Sequence, residues 1–398
     1  MKKLIFGYGR TGKAVENLLL KIGVDYSIYD DNFSQNKIKL ISNNLVEFDE
    51  VIISPGIPPS NPLISEIKKK NIKISSDLDL FERINKTNLV KIGVTGTNGK
   101  TSFVNLLTDF LNKNGYSAKA CGNIGNSVIT LTNEKIDFLV IELSSYQLYY
   151  SSNFVLDYSI ILNIASDHLD WHENFDDYVA SKAKIFQFTR NERVIYYDKL
   201  FSKFTNIDKR NYSEYLNSTF EKINTPYPKE LVASLIDIID FLDLKITNRN
   251  SVYKEFLKNL KQIEHRYEKL SFNGNVTFIN DSKATNFHAV SNAISRSKNT
   301  ILILHGLTKN VPFRELKNLD NVKKIIKPNE MNIDLEKFNG KLINYESIDR
   351  IKELITSEME DGDTVLFSCG GASFNDFKNY EERGKFFKNL VKEIEYEA

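Results

Sequence analysis

Six residues carry the plainest chemistry in this chain: Gly96-Thr97-Asn98-Gly99-Lys100-Thr101. They stand between an apolar run, Val90–Thr95, that reads as a strand, and a stretch from Lys100 to about Asn112 that reads as a helix. A glycine-rich turn in that place offers backbone N–H groups to phosphate oxygens. Lys100 adds a point charge, and the Thr101 hydroxyl is a hard ligand for Mg²⁺. Val94 stands where the standard phosphate-loop spacing has its first glycine. A chance glycine turn is the bland alternative, and the strand–loop–helix setting argues against it. The expected ligand is ATP.

Other groups of this kind follow the same pattern of polar residues at the ends of apolar runs. Glu142 ends Phe138–Glu142 and opens Glu142-Leu143-Ser144-Ser145-Tyr146-Gln147. A carboxylate there suits a cation beside bound phosphates, or simply faces solvent. His168 lies in Ser166-Asp167-His168-Leu169-Asp170 after the run Tyr158–Asn163, and Tyr178-x-x-x-Lys182 follows on a helical stretch. A metal or phosphate role for His168 competes with a structural one, and Lys182 by itself reads as an exposed lysine. His265-Arg266-Tyr267-Glu268 and Asn280-Asp281-Ser282-Lys283-Ala284-Thr285-Asn286 place charges at strand ends that suit a phosphate and a ribose. Ser368-Cys369-Gly370-Gly371-Ala372-Ser373 ends another strand. Turn-forming loops are the alternative for both. Near the start, Gly7-x-Gly9-x-x-Gly12 follows a strand, and Asp30 ends the next one. That is the pattern of a phosphorylated ligand at a helix N-terminus, with a nicotinamide dinucleotide as the first candidate and tight packing as the other reading.

The elements that must position these residues form an α/β chain. At 398 residues, and with about 150 residues per domain, two or three domains are expected. Lys+Arg number 53 and Asp+Glu 52, a net charge of +1 that argues against a general nucleic-acid binder. Cys121 and Cys369 are too few for a disulfide framework or a four-cysteine zinc site. The charged start Met1-Lys2-Lys3 precedes too short an apolar run for a signal peptide, and no 18-residue apolar run exists, so a cytoplasmic protein is expected. Three units alternate strand and helix: 1–88, a Rossmann-like unit; 89–262, the phosphate-loop unit; and 263–398, also Rossmann-like, opening with a hairpin signal at Asn273-Gly274. The polar stretch from about 191 to 224 resists placement.

Taken in order, GYGRTG, SPGIP, GTNGKT, GNIG, ELSSYQL, LNIASDHLDWH, YVASK, HRYE, NDSKATN and ASFNDFKNYEERG resemble the Mur ligase family over nearly the whole chain. NDSKATN and ASFNDFKNYEERG are closest to its D-glutamate-adding branch. The resemblance implies a monomeric enzyme of peptidoglycan precursor synthesis that uses ATP, two Mg²⁺ ions, UDP-N-acetylmuramoyl-L-alanine and D-glutamate, through an acyl phosphate. It replaces the dinucleotide reading of the first glycine turn with a uridine diphosphate one. Arg10, Thr11, Gly12, Asp30, Ser54, Gly56, Asn123 and Ser144 then match substrate-contacting positions. Lys100 matches the group that steadies the transferring phosphoryl. Thr101 and Glu142 match ligands of one Mg²⁺. His168 matches a ligand of the second, and Lys182 the lysine carried as a carbamate. Gly96, Thr97, Asn98 and Gly99 complete the ATP loop. Arg266, Asp281 and Lys283 match nucleotide contacts, and Thr285, Lys309, Ser373 and Tyr380 match D-glutamate contacts. The chain departs from the family at His305-Gly306-Leu307-Thr308-Lys309, where an aspartate is usual in place of Thr308. Pro226–Ser234 lacks two asparagines that usually meet adenine, and Tyr380 stands where phenylalanine is common. The alternatives are another Mur-type or folylpolyglutamate-type ligase, or a non-catalytic nucleotide-binding relative.

Overall fold

A computed structural model describes residues 2–30, 42–212, 214, 225–307, 316–331 and 338–397. Thr308 and Lys309 lie outside the described residues. The chain forms two compact units: residues 1–164 with 171–258, and residues 165–170 with 259–398.

The first unit holds two parallel sheets. Its N-terminal sheet is built from β1 (Lys3–Phe6), β2 (Tyr26–Tyr29), β3 (Glu50–Ile53) and β4 (Lys73–Ser75), in the order β2-β1-β3-β4. β1 is a near-continuous apolar run and β3 is buried along its whole length, as a parallel sheet covered on both faces requires. Between them run α1 (Arg10–Lys21), α2 (Pro62–Lys69) and α3 (Asp77–Ile84). Val15, Leu18 and Leu19 turn one face of α1 into the core. α2 starts with proline at its first position and Asn61 as its cap, and α3 with a Ser76–Asp79 capping box.

The second sheet orders its strands β6-β7-β5-β8-β9, all parallel. These are β5 (Val90–Thr95), β6 (Ala118–Gly122), β7 (Phe138–Glu142), β8 (Tyr158–Ile161) and β9 (Val194–Tyr196). Helices α4 (Lys100–Lys113), α5 (Ser145–Tyr150), α6 (Phe175–Ala183), α7 (Ile185–Phe188), α8 (Lys229–Phe241) and α9 (Arg249–Lys258) connect and flank them. The order reverses around β5, which sits between β7 and β8, and open α/β sheets bind ligands at the C-terminal ends of strands where this happens. β9 falls in the stretch that sequence could not place. Three residues are too few to show a period, and its burial comes from pairing with β8.

The second unit carries a six-stranded sheet of order β10-β11-β15-β12-β13-β14. Its strands are β10 (Glu268–Lys269), β11 (Thr277–Asp281), β12 (Thr300–His305), β13 (Val322–Pro328), β14 (Lys341–Tyr345) and β15 (Thr364–Gly370). Only the β10–β11 pair is antiparallel, and it joins the two runs expected as a hairpin around Asn273-Gly274. α10 (Phe287–Ile294), α11 (Ile351–Glu358) and α12 (Tyr380–Glu397) cover the faces. The ring of Phe387 on α12 stacks on that of Phe367 at 4.5 Å. Among the described residues no helix is long and apolar enough to cross a membrane.

Glu50 shows what secures the first sheet. The carboxylate is 3% exposed and takes bonds from Lys3, Ser75 and, at 2.6 Å, Arg83. Burial would raise its pKa, but Arg83, Lys3 and Ser75 outweigh it and hold the carboxyl at about 2. A carboxylate depressed in the folded state stabilises above its ordinary value, near 4.5, and that stability is lost as pH falls toward 2. Glu50→Gln should therefore lower unfolding free energy by about 2–3 kcal/mol at pH 7 and by far less near pH 2. Denaturant unfolding of the two proteins at both pH values checks this.

Candidate active site

The phosphate loop leaves β5 and enters α4 through Gly99, whose φ of +83° is a left-handed conformation that a side chain resists. Asn163, just past β8, braces the loop. Its backbone carbonyl accepts from Thr97 N–H (3.0 Å), its side-chain oxygen from Asn98 N–H (2.9 Å), and its amide donates to the Asn98 carbonyl (3.0 Å). Lys100 Nζ donates to the carbonyls of Gly96 (2.7 Å) and Thr97 (2.8 Å). Lys182, on α6 and 1% exposed, donates to the same Gly96 carbonyl at 2.9 Å. Its ammonium also lies 4.7 Å from the ring centre of Tyr178, whose hydroxyl sits 2.9 Å from that of Thr97. Two lysines 82 positions apart in sequence thus meet on one loop oxygen.

Beside this loop, Thr101 Oγ1 donates to Glu142 Oε2 at 2.8 Å, and Asn123 Nδ2 donates to Glu142 Oε1 at 3.0 Å. A hydroxyl and a buried carboxylate side by side are hard oxygen donors that fit Mg²⁺. Among the described residues no cluster of three His, Cys, Asp or Glu side chains forms. An ion held here would take its remaining ligands from water and phosphate, as Mg²⁺ commonly does.

The first glycine turn lies in the same unit. Gly12 packs so closely on it that an added Cβ would stand 2.1 Å from the Gly7 carbonyl oxygen. Asp30 accepts from Tyr8 N–H at 2.5 Å, and Ser54 Oγ donates to the Gly7 carbonyl at 2.7 Å. Thr11 is in the first turn of α1, and Gly56 follows β3 with open space around it. Arg10 donates to the carbonyls of Asn123 (3.1 Å) and Gly125 (3.0 Å). A polar path therefore runs from Arg10 through Asn123 to Glu142 and Thr101. Ser144 caps α5 and shares a capping box with Gln147.

In the second unit, His168 has a left-handed φ of +58°, and its Nε2 is 3.6 Å from Asp167 Oδ2. Asn286, the cap of α10, donates to that same carboxylate at 3.0 Å. His168 thus belongs to one unit, and Thr101, Glu142 and Lys182 to the other. Asp281, at the end of β11, accepts from Tyr267 N–H (2.9 Å) and Ser368 Oγ (2.8 Å). Arg266 stands in the turn before β10. The Lys283 ammonium lies 3.8 Å from the ring centre of Tyr380. Thr285 is one residue before the cap of α10, and Ser373 is buried after β15.

Sequence reasoning missed Arg383. This fully buried guanidinium donates to the carbonyls of Ser282 (2.7 Å), Gly371 (3.0 Å) and His305 (3.2 Å) and to Ser282 Oγ (3.0 Å). It ties together the loops that leave β11, β15 and β12. The only signal was its place in ASFNDFKNYEERG. Asn163 and Tyr178 were also missed as loop braces, because their roles arise between strands and helices far apart in sequence.

A phosphate loop at a strand-order reversal, two lysines on it and a hard-oxygen pair beside it define an ATP-dependent ligase once joined to the likenesses of the whole chain. A family model, the Mur ligase middle domain, matches residues 94–227. UDP-N-acetylmuramoylalanine–D-glutamate ligase of Francisella tularensis subsp. mediasiatica is 32% identical over 414 aligned residues, covering 100% of this chain and 97% of the relative. That of subsp. novicida is also 32% identical, with the same coverage. MurF ligase from Thermotoga maritima, solved with ADP, shares the fold at a TM-score of 0.60 and 14% identity, over 98% of this chain and 95% of that one. E. coli FolC with ADP does so at 0.59 and 14%, over 85% and 99%. The chain belongs to the Mur ligase family.

Asp281 supplies a test of the second unit. Burial, opposed by Ser368, the Tyr267 N–H and the charges of Arg296 and Arg266, raises its pKa to about 6. An aspartate raised in the folded state above its ordinary value, near 3.8, binds the proton more tightly when folded. Stability therefore declines as pH rises from about 4 to 6, by up to about 3 kcal/mol. Asp281→Asn should flatten that part of the profile in unfolding melts across pH 4–7.

Proposed function

We propose that this enzyme joins D-glutamate to UDP-N-acetylmuramoyl-L-alanine with the hydrolysis of ATP to ADP and phosphate. The observation that carries the reading is the meeting of Lys100 and Lys182 on the Gly96 carbonyl, beside the Thr101–Glu142 pair. That set is what phosphoryl transfer uses to hold the phosphates and neutralise their charge. The relatives' activity over their full length supports the choice of substrates.

The reaction takes two steps. A carboxylate oxygen of the L-alanyl group attacks the γ-phosphorus, the bond to the bridging oxygen breaks, and ADP leaves from an acyl phosphate. The amine of D-glutamate, neutral when it attacks, adds to the acyl carbon and loses a proton. The tetrahedral intermediate then collapses with release of inorganic phosphate. The chain's work is to position and to neutralise charge. Lys100 turns from the loop carbonyls to the transferring phosphoryl oxygens. Thr101 and Glu142 would hold a Mg²⁺ ion, which supplies Lewis-acid neutralisation of those oxygens, and His168 would serve a second. Arg10 and the Gly7–Gly12 turn hold the uridine diphosphate, with Asp30 and Ser54 keeping the turn in shape. Asp281, Arg266 and Lys283 serve the nucleotide, and Thr285, Lys309, Ser373 and Tyr380 serve D-glutamate. Lys182 adds CO₂ as a neutral amine, losing a proton, and the resulting carbamate exchanges a buried cation for an oxygen donor. We further read the chain as three domains, 1–88, 89–262 and 263–398, working as a monomer in the cytoplasm in peptidoglycan precursor synthesis.

The test is phosphate release from ATP and Mg²⁺ with UDP-N-acetylmuramoyl-L-alanine and a panel of D- and L-amino acids. Release with D-glutamate alone is expected. Release with a different acceptor would move the enzyme to another step, and none with any acceptor would leave a nucleotide binder. Lys100→Ala should lower kcat by about 10²–10³-fold, the usual loss for one group that meets developing charge. Lys182→Ala, or thorough removal of CO₂, should suppress turnover in the same assay. Full activity under both conditions would remove the carbamate.

A further inference from the structure

Three residues in the first unit form a hydrogen-bonded chain that no step above uses. His172 Nδ1 is 2.8 Å from Asp177 Oδ2, and His172 Nε2 is 2.9 Å from Ser145 Oγ. The carboxylate only accepts, so Nδ1 carries the proton, and Nε2 is left to accept the Ser145 hydroxyl. The order Ser–His–Asp is that of a nucleophilic triad. Ser145 is nonetheless buried in the first turn of α5, and the His172 side chain is wholly enclosed. The chain serves a structural end instead.

What it joins is specific. Ser145 stands three residues after Glu142, at the other end of the short turn that leaves β7. Asp177 is in the first turn of α6, beside Tyr178, whose hydroxyl meets Thr97, and one and a half turns before Lys182, whose amine meets Gly96. The His172 ring also packs on the Tyr178 ring at 5.3 Å, steeply inclined. Trp171 lies against Tyr146 at 4.4 Å, so the segment that carries His172 is held on α5 from a second side. We infer that His172 is a positioning residue: it braces the strand end that carries Glu142 against the helix that carries Tyr178 and Lys182, and so fixes the spacing of the cation-holding groups at the phosphate loop. Lys182, 1% exposed and four to five residues along α6 from Tyr178 and Asp177, shifts when α6 rolls, and displacements near 1 Å already cost reactivity.

This inference rests on the ligase reading, and its test separates the two. Ser145→Ala removes one hydroxyl, His172→Ala removes the bridge, and Asp177→Asn keeps an oxygen able to accept from Nδ1–H. Two quantities are read: the Mg²⁺ concentration giving half-maximal phosphate release, and the dissociation constant of Mn²⁺, followed by its paramagnetic resonance signal, with a non-hydrolysable ATP analogue bound. Ser145→Ala and His172→Ala should each raise both by about fivefold or more, in line with a lost buried hydrogen bond. Asp177→Asn should stay within twofold of the parent, and KM for the UDP-linked substrate should stay within twofold in all three. Cation affinities within twofold of the parent in Ser145→Ala would overturn the brace. If His172→Ala does not fold, Ser145→Ala and Asp177→Asn decide. A parent protein that releases no phosphate would refute the ligase reading, while the Mn²⁺ titration would still judge the brace.

Discussion

Lys100 and Lys182 bring two ammonium groups to the carbonyl oxygen of Gly96, at 2.7 and 2.9 Å. A polyphosphate entering the loop would offer Lys100 better acceptors than backbone carbonyls. Asn163 fastens the loop to the end of β8 with three bonds, and Tyr178 fastens Thr97 to α6. Preorganised charge is useful in proportion to how little it relaxes when the ligand is absent, and these fastenings are what limits the relaxation.

The same economy of parts links the two sheets of the first unit. Arg10 leaves the glycine turn of the N-terminal sheet and ends on the carbonyls of Asn123 and Gly125. Asn123 passes the connection to Glu142, and Glu142 to Thr101. A ligand that displaces Arg10 from those carbonyls acts on a residue one hydrogen bond removed from the cation pair. The glycine-turn end and the phosphate-loop end of the unit are thereby joined by a run of hydrogen bonds that passes through the backbone and side chain of Asn123.

The second unit solves a different problem. Its strand ends carry polar loops that must hold their shape without collapsing onto one another. Arg383 spans three of those loops with four donor contacts, and its charge is met by carbonyl dipoles. Near it, His305 is buried, with burial and the Arg383 charge holding its pKa at about 3. Its ring lines a cavity of about 430 Å³ with Tyr345 and Asp376.

The amino-acid sequence by itself determined the local pieces. The glycine spacing and the runs flanking it settled the phosphate loop, since a turn with φ of +83° before a helix is a short-range demand that only local residues meet. The strands β1, β5, β7, β8, β12 and β15 were legible because buried parallel strands are apolar nearly throughout. Ordered motifs along the chain settled the family. Short strands such as β9 were not legible, because three residues have no period and owe their state to a neighbour. Nor were the functional neighbourhoods. Lys182 reads in sequence as an ordinary exposed lysine, and tertiary structure buries it on Gly96. Asn163, His172 and Arg383 have partners 65, 27 and up to 101 positions away. Hydrogen bonds of that span follow from how sheets and helices pack, which pattern and propensity along the chain do not encode.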